Sequence, residues 1–222
     1  MQLWNFFISN IDEVLTLTGQ HVWMVSVSIF VASCLGVPAG LLMTRRPWLE
    51  KAVLGFANII QTIPSLALFG FLIPVPILGG IGSKTAIVAL VFYALLPIIR
   101  GTYEGMKSVD PSVKEAGRGM GMSDGQLFWQ VEFPLSLSVI LSGVRVATIT
   151  CVGVATIAAA IGAGGLGVYI FRGVASVNTT LILAGSVPAA LLALTAEFAL
   201  SQGEKLLGRK FGRSPMSERR AL

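Results

Sequence analysis

The hydrophobic pattern of this chain consists of long apolar runs that are separated by short polar segments. A helix needs about 20 apolar residues to cross the ~30 Å hydrocarbon layer of a membrane. Five runs reach that length, and we predict spans over residues 21–44, 53–73, 84–103, 134–161 and 179–201. The runs do not alternate apolar and polar residues as barrel strands do, so each span is predicted to be a helix.

Prolines and glycines mark the places where this pattern is interrupted. Pro64 lies inside the second predicted span, where it removes a helix hydrogen bond and frees backbone carbonyls. Discontinuous helices often line transport sites, so Gln61, Thr62 and Pro64 become candidates for a pathway. The segment GAGGLG, residues 162–167, formally fits the dinucleotide pattern GxGxxG, but that site requires a preceding strand. We expect a helix break or close backbone packing there instead.

Composition agrees with a membrane protein. The chain of 222 residues is 54% hydrophobic and only 12% charged, and its mean hydropathy is +0.79. Soluble domains are typically about 25% charged. One His and two Cys offer too few ligands for most metal sites, and no metal or other cofactor is expected.

The distribution of Lys and Arg predicts the orientation of the spans. The loops on one side contain thirteen basic residues, whereas those on the other side contain only Lys84 and Arg172. We therefore predict that the first side is cytoplasmic, with the N-terminus outside and the C-terminus inside. The basic residues assigned to the cytoplasmic side are Arg45, Arg46, Lys51, Arg100, Lys107, Lys114, Arg118 and six from Lys205 onward.

This orientation divides the chain into three parts. Residues 1–20 are predicted to form a short amphipathic helix at the outer interface. A sixth span there is the alternative, which would bury Asp12 and Glu13. Residues 21–204 form the transmembrane domain, including a cytoplasmic loop over 104–134. Residues 205–222 form a basic cytoplasmic tail, which we assign to the lipid surface rather than to nucleic acid.

The polar insert KEAGRGMGMSDGQLFWQVEFP, residues 114–134, is the least apolar part of the middle of the chain. Asp110 is predicted to cap one short helix and Ser123 or Asp124 a second, with the glycines between them breaking the first. The insert also contributes an apolar edge, which either meets a partner or packs under the bundle. The residues of this edge are Met120, Met122, Leu127, Phe128 and Trp129.

The insert resembles the cytoplasmic loop of permease subunits of ABC importers. That loop has the pattern Glu-Ala-Ala, three residues, Gly, nine residues, Ile-x-Leu-Pro. Here EAG at 115–117 is followed by three residues, Gly121, nine residues, and VEFP at 131–134, so the register is complete. The departures are a Gly for the second Ala, Val for Ile and Phe for Leu. The Gly is expected to loosen the helix by about 1 kcal/mol relative to Ala.

In that family the loop is the coupling helix, which docks in a groove of a cytoplasmic ATPase. The resemblance therefore implies an ATPase-coupling role for the residues of this chain that match. These residues are Glu115, Ala116, Gly117, Arg118, Gly121, Met122 and Pro134.

The resemblance extends over nearly the whole chain. The segments QTIPSLALFGFLIP, YALLPIIRGTYEGMKSVDP, GVRVATI and IGAGGLG look like those of the osmoprotectant branch, which carries glycine betaine, choline, carnitine and related quaternary amines. It implies an all-α, polytopic bundle of about five transmembrane helices with the type I importer fold, in a bacterial inner membrane. It also implies an ATPase, an extracytoplasmic binding protein and a second permease subunit as partners, and transport by alternating access.

Three other functions remain open. The first is a permease of the same superfamily for methionine, taurine or a polar amino acid. The second is a secondary transporter, which internal inverted repeats would support, and none is seen. The third is a membrane enzyme or structural subunit. The sequence contains no GxxxxGK[ST] motif, so we expect ATP hydrolysis on a separate subunit.

Ionisable and aromatic residues inside the spans are the remaining candidates for a pathway. Arg145 and Glu197 lie in the fourth and fifth spans, where they either pair with each other, face a wet cavity or bond to backbone carbonyls. Tyr93 offers an aromatic face to a quaternary ammonium, although packing is the commoner role of a single tyrosine.

Overall fold

The computed structural model describes residues 2–46, 48–76 and 78–211, and the regular structure in them is entirely helical. Ten α-helices follow in chain order, with a π-helical turn at Phe128–Glu132 and a 3₁₀ turn at Ala158–Ile161. They are α1 (Gln2–Ser9), α2 (Ile11–Arg45), α3 (Trp48–Thr62), α4 (Ser65–Leu72), α5 (Ser83–Lys107), α6 (Pro111–Gly119), α7 (Asp124–Leu127), α8 (Phe133–Ile157), α9 (Gly167–Ala175) and α10 (Thr179–Phe211).

Four helical segments of the described residues are long and apolar enough to cross a membrane. They are Ile11–Arg45, Ser83–Lys107, Asp124–Ile161 and Thr179–Gly208. The second predicted span is instead a pair of helices, α3 and α4, which meet at an angle of 102°. Counting this bent pair as one span gives the five that the pattern predicts, and the interruption expected at Pro64 is confirmed.

The N-terminal region differs from the prediction. The single interfacial helix expected over residues 1–20 is divided at Asn10, and α2 begins at Ile11 rather than at residue 21. Asp12 and Glu13 occupy the first turn of α2, where a negative charge stabilises a helix N-terminus. The short α1 packs against the other end of the chain, because the ring of Phe6 lies 5.4 Å from that of Tyr169 on α9.

Helices α2, α5 and α8 form the centre of the bundle, with α5 the most buried of the three. Small residues allow their backbones to approach closely. A Cβ at Gly40 of α2 would lie 2.8 Å from the Ile99 carbonyl oxygen of α5, and one at Gly101 would lie 2.8 Å from the Cα of Gly143 on α8. This packing leaves α5 in contact with both neighbours along its length.

The glycine-rich segment after α8 breaks the helix as predicted. Gly162, Gly164 and Gly165 have φ angles of +73°, +84° and +76°, which favour glycine over residues with a Cβ. The Gln20 side chain of α2 accepts a hydrogen bond from the Gly165 N–H at 3.1 Å. The break therefore separates α8 from α9, and the hydrogen bond to Gln20 ties it to α2.

The last helix continues beyond the predicted end of its span. α10 runs to Phe211, so the first part of the predicted tail 205–222 is helical. Residues 212–222 of that tail lie outside the described residues.

Candidate functional site

Most of the predicted functional residues lie in two parts of the fold. One is the segment of residues 110–133, which we call the elbow, and the other is a cavity beside α5. The elbow begins at Asp110, whose Oδ1 accepts a hydrogen bond from the Ser112 N–H at 2.8 Å. This bond, which caps α6, holds the pKa of Asp110 below its ordinary value. Pro111 follows in the first turn, so the predicted helix start is confirmed.

A single glycine makes the sharp turn between the two elbow helices. Gly121 has a φ of +84°, and its N–H donates to the Arg118 carbonyl at 2.9 Å. Ser123 and Gln126 then form a capping box that starts α7. The prediction that all three glycines break the first helix is wrong for Gly117, which lies inside α6.

Gly117 instead lets α6 and α7 lie close together. A Cβ at this position would be 2.7 Å from Cδ1 of Leu127 and 3.2 Å from the Met122 sulfur. Leu127 is itself only 2% exposed. The glycine that replaces the Ala of the family pattern thus lies in a tightly packed joint.

The apolar edge of the elbow is divided between the two roles that the pattern left open. Met120 and Trp129 are 78% and 65% exposed, so they are available to a partner. Leu127 is buried under the bundle, and Met122 and Phe128 are half-buried. The exposed face also includes Glu115 and Ala116 of α6.

The elbow contacts the membrane helices α2 and α5 and is continuous with α8. Lys114 of α6 donates from Nζ to the Met106 carbonyl of α5 at 3.4 Å, and within the elbow it forms a salt bridge with Glu132 of the π-helical turn, also at 3.4 Å. The Arg45 guanidinium at the end of α2 lies 5.5 Å from the centre of the Phe128 ring. The π-helical turn continues directly into α8, which has Pro134 in its first turn. A displacement of the elbow would therefore be transmitted to α8.

The second part is a cavity of about 470 Å³ between α3, α5 and α8, which we call the α5 cavity. Its lining is partly apolar and partly polar. The polar side chains in it are Gln61, Tyr93, Arg100, Glu104, Ser142 and Thr150.

The break at Pro64 positions one side of this cavity. Gln61, near the end of α3, donates from Nε2 to the Tyr93 carbonyl at 3.2 Å. The Tyr93 hydroxyl in turn donates to the carbonyl of Ile63, which lies in the break between α3 and α4. Because the broken helix cannot satisfy this carbonyl itself, α5 supplies the missing donor.

The six residues predicted as candidates for a pathway lie in different parts of the structure. Gln61 and Tyr93 line the α5 cavity, and Pro64 lies at the break beside it. Thr62 is exposed and its hydroxyl bonds within its own helix, to the Ile59 carbonyl at 2.7 Å. The remaining two, Arg145 and Glu197, line none of this cavity.

Arg145 and Glu197 pair with each other, which was one of the alternatives left open. Nη1 of Arg145 lies 3.2 Å from the Glu197 carboxylate, and Nη2 lies 3.5 Å from that of Glu204. One arginine of α8 thus holds two carboxylates of α10. The contact fixes the position of α10 against the bundle.

Two charged residues of the α5 cavity were missed by the sequence reasoning. Arg100 had been counted with the cytoplasmic loop, and Glu104 had been placed at the start of the same loop. Both lie within α5, which runs to Lys107, and both face the cavity. The residues after Pro97 continue the helical pattern, and this could have indicated that α5 extends past residue 103.

The sequence profile of the family described as "Binding-protein-dependent transport system inner membrane component" matches residues 34–212. The chain belongs to this family. It is therefore a multi-pass membrane protein and the permease subunit of a binding-protein-dependent ABC importer, and the all-helical fold, with four spans or five if the bent pair is counted as one, is that of type I permeases.

Curated relatives cover almost the full length of the permease. The carnitine transport permease protein OpuCB of Listeria monocytogenes is 43% identical over 92% of this chain and 93% of its own. The osmoprotectant import permease protein OsmW of Salmonella typhimurium is 40% identical over 93% and 97%. The choline transport system permease protein OpuBB of Bacillus subtilis is 40% identical over 91% and 92%.

Solved structures agree on the fold of the permease. An inward-facing structure of the MetNI methionine ABC transporter superposes with a TM-score of 0.80 at 26% identity, covering 90% of this chain and 98% of the other. An amino acid ABC transporter crystallised with histidines superposes with a TM-score of 0.70 at 15% identity, covering 92% and 96%. The second likeness concerns the fold alone.

Proposed function

We propose that this permease forms the membrane pathway of an ATP-driven importer for osmoprotectants of the quaternary-amine class, such as glycine betaine, carnitine or choline. The observation that carries the proposal is the set of relatives at 40–43% identity over more than nine-tenths of the chain, which are named for carnitine, choline and osmoprotectants. The resemblance of QTIPSLALFGFLIP and GVRVATI to the same branch supports it.

The elbow is the proposed contact for a separate ATPase subunit. Its exposed face combines Glu115 and Ala116 with the apolar side chains of Met120 and Trp129. An exposed apolar surface that is continuous with a membrane helix suits a partner that moves that helix. ATP hydrolysis would take place on the ATPase, and the permease itself would need no cofactor.

Two further partners complete the proposed importer. An extracytoplasmic binding protein would deliver the solute, as the family description implies. A second permease subunit, either another copy or a close relative, would close the pathway, because this chain alone does not enclose the α5 cavity. Rocking of the two subunits would expose this pathway alternately to each side of the membrane.

We also propose that the permease lies in a bacterial inner membrane with its N-terminus outside and its C-terminus in the cytoplasm. The excess of Lys and Arg on one set of loops supports this orientation. It places the elbow on the side where ATP is available.

The test is ATP hydrolysis in liposomes that contain the permease, the ATPase encoded beside it and the binding protein, with a panel of solutes. We expect stimulation by glycine betaine, carnitine or choline. Stimulation by an amino acid or a sulfonate alone would contradict the substrate class and leave the importer intact. Failure of the ATPase to copurify with the permease would contradict the role of the elbow.

A permease for methionine is the second candidate, because the MetNI structure superposes over 90% of the chain. Its identity of 26% is well below the 40–43% of the osmoprotectant relatives, so the first proposal is favoured. Methionine belongs in the solute panel for this reason.

A further inference from the structure

We propose that Arg100 and Glu104 of α5 form a dipolar subsite in the α5 cavity, at which Arg100 distinguishes solutes that carry a carboxylate from those that do not. This inference rests on the proposed function and deepens it. It assigns a selective role to the membrane pathway itself, in addition to the binding protein.

The two charges lie on one face of one helix. Residues four apart in an α-helix are neighbours on its surface, with a rise of about 6 Å between them. Arg100 and Glu104 both line the cavity and both have exposed side chains. A positive and a negative group therefore follow each other along the wall of the pathway.

These charges are available to a solute. Neither forms a salt bridge with any residue in the described part of the chain. Arg100 donates from Nη2 to the Asn58 side-chain oxygen at 3.4 Å, which leaves most of its five N–H donors free. The other membrane arginine, Arg145, is by contrast fully engaged with two carboxylates.

The cavity around the pair has room for a small solute. Gly101 of α5 and Gly143 of α8 form part of its lining, and neither adds a side chain to the space. The volume of about 470 Å³ is partly polar, because Gln61, Ser142 and Thr150 also contribute to it. Charged residues inside a span are costly in lipid, and they are generally found where a pathway solvates them.

The order of charges matches the chemistry of the proposed solutes. Glycine betaine and carnitine each join a trimethylammonium group to a carboxylate through a short chain, whereas choline carries the ammonium and a hydroxyl. A guanidinium binds a carboxylate through two parallel N–H donors, which an alcohol cannot match. A trimethylammonium group has no N–H to donate, so its attraction to Glu104 is purely electrostatic.

Two arms of one experiment separate the roles of the charges. The complete importer, with its ATPase and binding protein, is reconstituted in liposomes with Arg100→Gln, Arg100→Lys or Glu104→Gln, and uptake of glycine betaine and of choline is measured. Lys84→Gln removes a positive charge from the same helix outside the cavity and serves as the matched control. Copurification of the ATPase shows that each variant assembles.

We expect Arg100→Gln to lower glycine betaine uptake about tenfold, the size of effect that follows from losing a hydrogen bond to a charged group. Choline uptake should change less than about twofold, because choline offers no carboxylate to this residue. Arg100→Lys should restore part of the betaine uptake, and Glu104→Gln should lower the uptake of both solutes. Lys84→Gln should leave the ratio of the two rates unchanged.

Two results would overturn the inference. One is betaine uptake at the unaltered rate in Arg100→Gln, and the other is an equal loss for betaine and choline, which would give Arg100 a structural role. If the importer accepts only choline, a loss of uptake in Arg100→Gln overturns the inference. If it accepts only glycine betaine, the inference requires that Arg100→Lys restores part of the uptake lost in Arg100→Gln, and no recovery overturns it. If the unaltered complex imports neither solute, the proposed function fails rather than the subsite.

Discussion

At the scale of single residues, a Cβ is expected to be costly at glycines where the backbone requires either a positive φ or a close approach. Gly121 requires the first, with a φ of +84°, and Gly143 the second. Other glycines of the elbow and of α8 meet neither condition, because a Cβ at Gly125 or Gly153 would find no atom within 4 Å. The two groups of glycines therefore offer matched pairs for mutagenesis.

Gly121→Pro is expected to abolish uptake while the protein still inserts into the membrane. Proline fixes φ near −65° and has no N–H, so it excludes both the turn and the hydrogen bond to the Arg118 carbonyl. Gly121→Ala should weaken the turn by about 1–2 kcal/mol. The measurement is solute-stimulated ATP hydrolysis of the complex, with Gly125→Ala as control. Unaltered activity of Gly121→Pro would remove the elbow from the coupling mechanism.

Gly143→Ala is expected to destabilise the bundle by about 1–3 kcal/mol. Its Cβ would lie 2.6 Å from the Pro97 carbonyl oxygen, which is backbone of α5 and cannot rotate away. The control is Gly153→Ala in the same helix, which should be neutral. Thermal unfolding of the detergent-solubilised permease compares the two, and equal Tm values would show that α5 and α8 separate without cost.

At the scale of elements, two devices hold the irregular parts of the bundle against its centre. The break between α3 and α4 is held by Tyr93 of α5, which supplies the donor that the Ile63 carbonyl lacks. Helix α10 is held to α8 by Arg145, which contacts Glu197 and Glu204 together. Both devices satisfy polar groups that would be costly inside a membrane.

Arg145→Gln is expected to destabilise the permease more than Glu197→Gln does. The first change leaves two carboxylates without a cation, whereas the second leaves Arg145 paired with Glu204. We expect a cost of about 1–3 kcal/mol for Arg145→Gln, below that of a fully buried pair because both glutamates are partly exposed.

Thermal unfolding in detergent at neutral pH measures the difference between these variants. The double variant Glu197→Gln with Glu204→Gln tests the converse, since it leaves the arginine unpaired. A Tm of Arg145→Gln at or above that of Glu197→Gln would mean that the carboxylates are fully solvated.

At the scale of the whole molecule, the function depends on which loops face which side of the membrane. The elbow and the turn between α9 and α10 lie at opposite ends of spans in the predicted topology. Each offers an exposed serine, Ser112 in α6 and Ser176 after α9. The two native cysteines, Cys34 and Cys151, can be replaced to leave single reporters.

With Cys34→Ser and Cys151→Ala as background, Ser176→Cys should react with a membrane-impermeant maleimide in intact cells. Ser112→Cys should react only after the membrane is permeabilised, because the elbow is predicted to face the cytoplasm. Total labelling after permeabilisation controls for expression. The opposite pattern would invert the orientation and place the elbow where no ATPase could reach it.

The sequence by itself determined the features that depend on local composition. The apolar runs located the spans, and Pro64 located the break in the second of them. The spacing from Glu115 to Pro134 located the elbow. Each of these features depends on residues that are close together in the sequence. The sequence misplaced the start of α2, since a helix can continue beyond the apolar run into the polar residues that favour its N-terminus.

The tertiary structure alone decided which distant residues meet. It paired Arg145 with two glutamates more than 50 residues away, packed Gly117 against Leu127, and turned Arg100 and Glu104 toward one cavity with Gln61. These relations follow from how far each helix extends and how closely its small residues let it approach its neighbours. They arise only when helices pack, because hydropathy along one helix does not specify which face meets a neighbour and which faces the pathway.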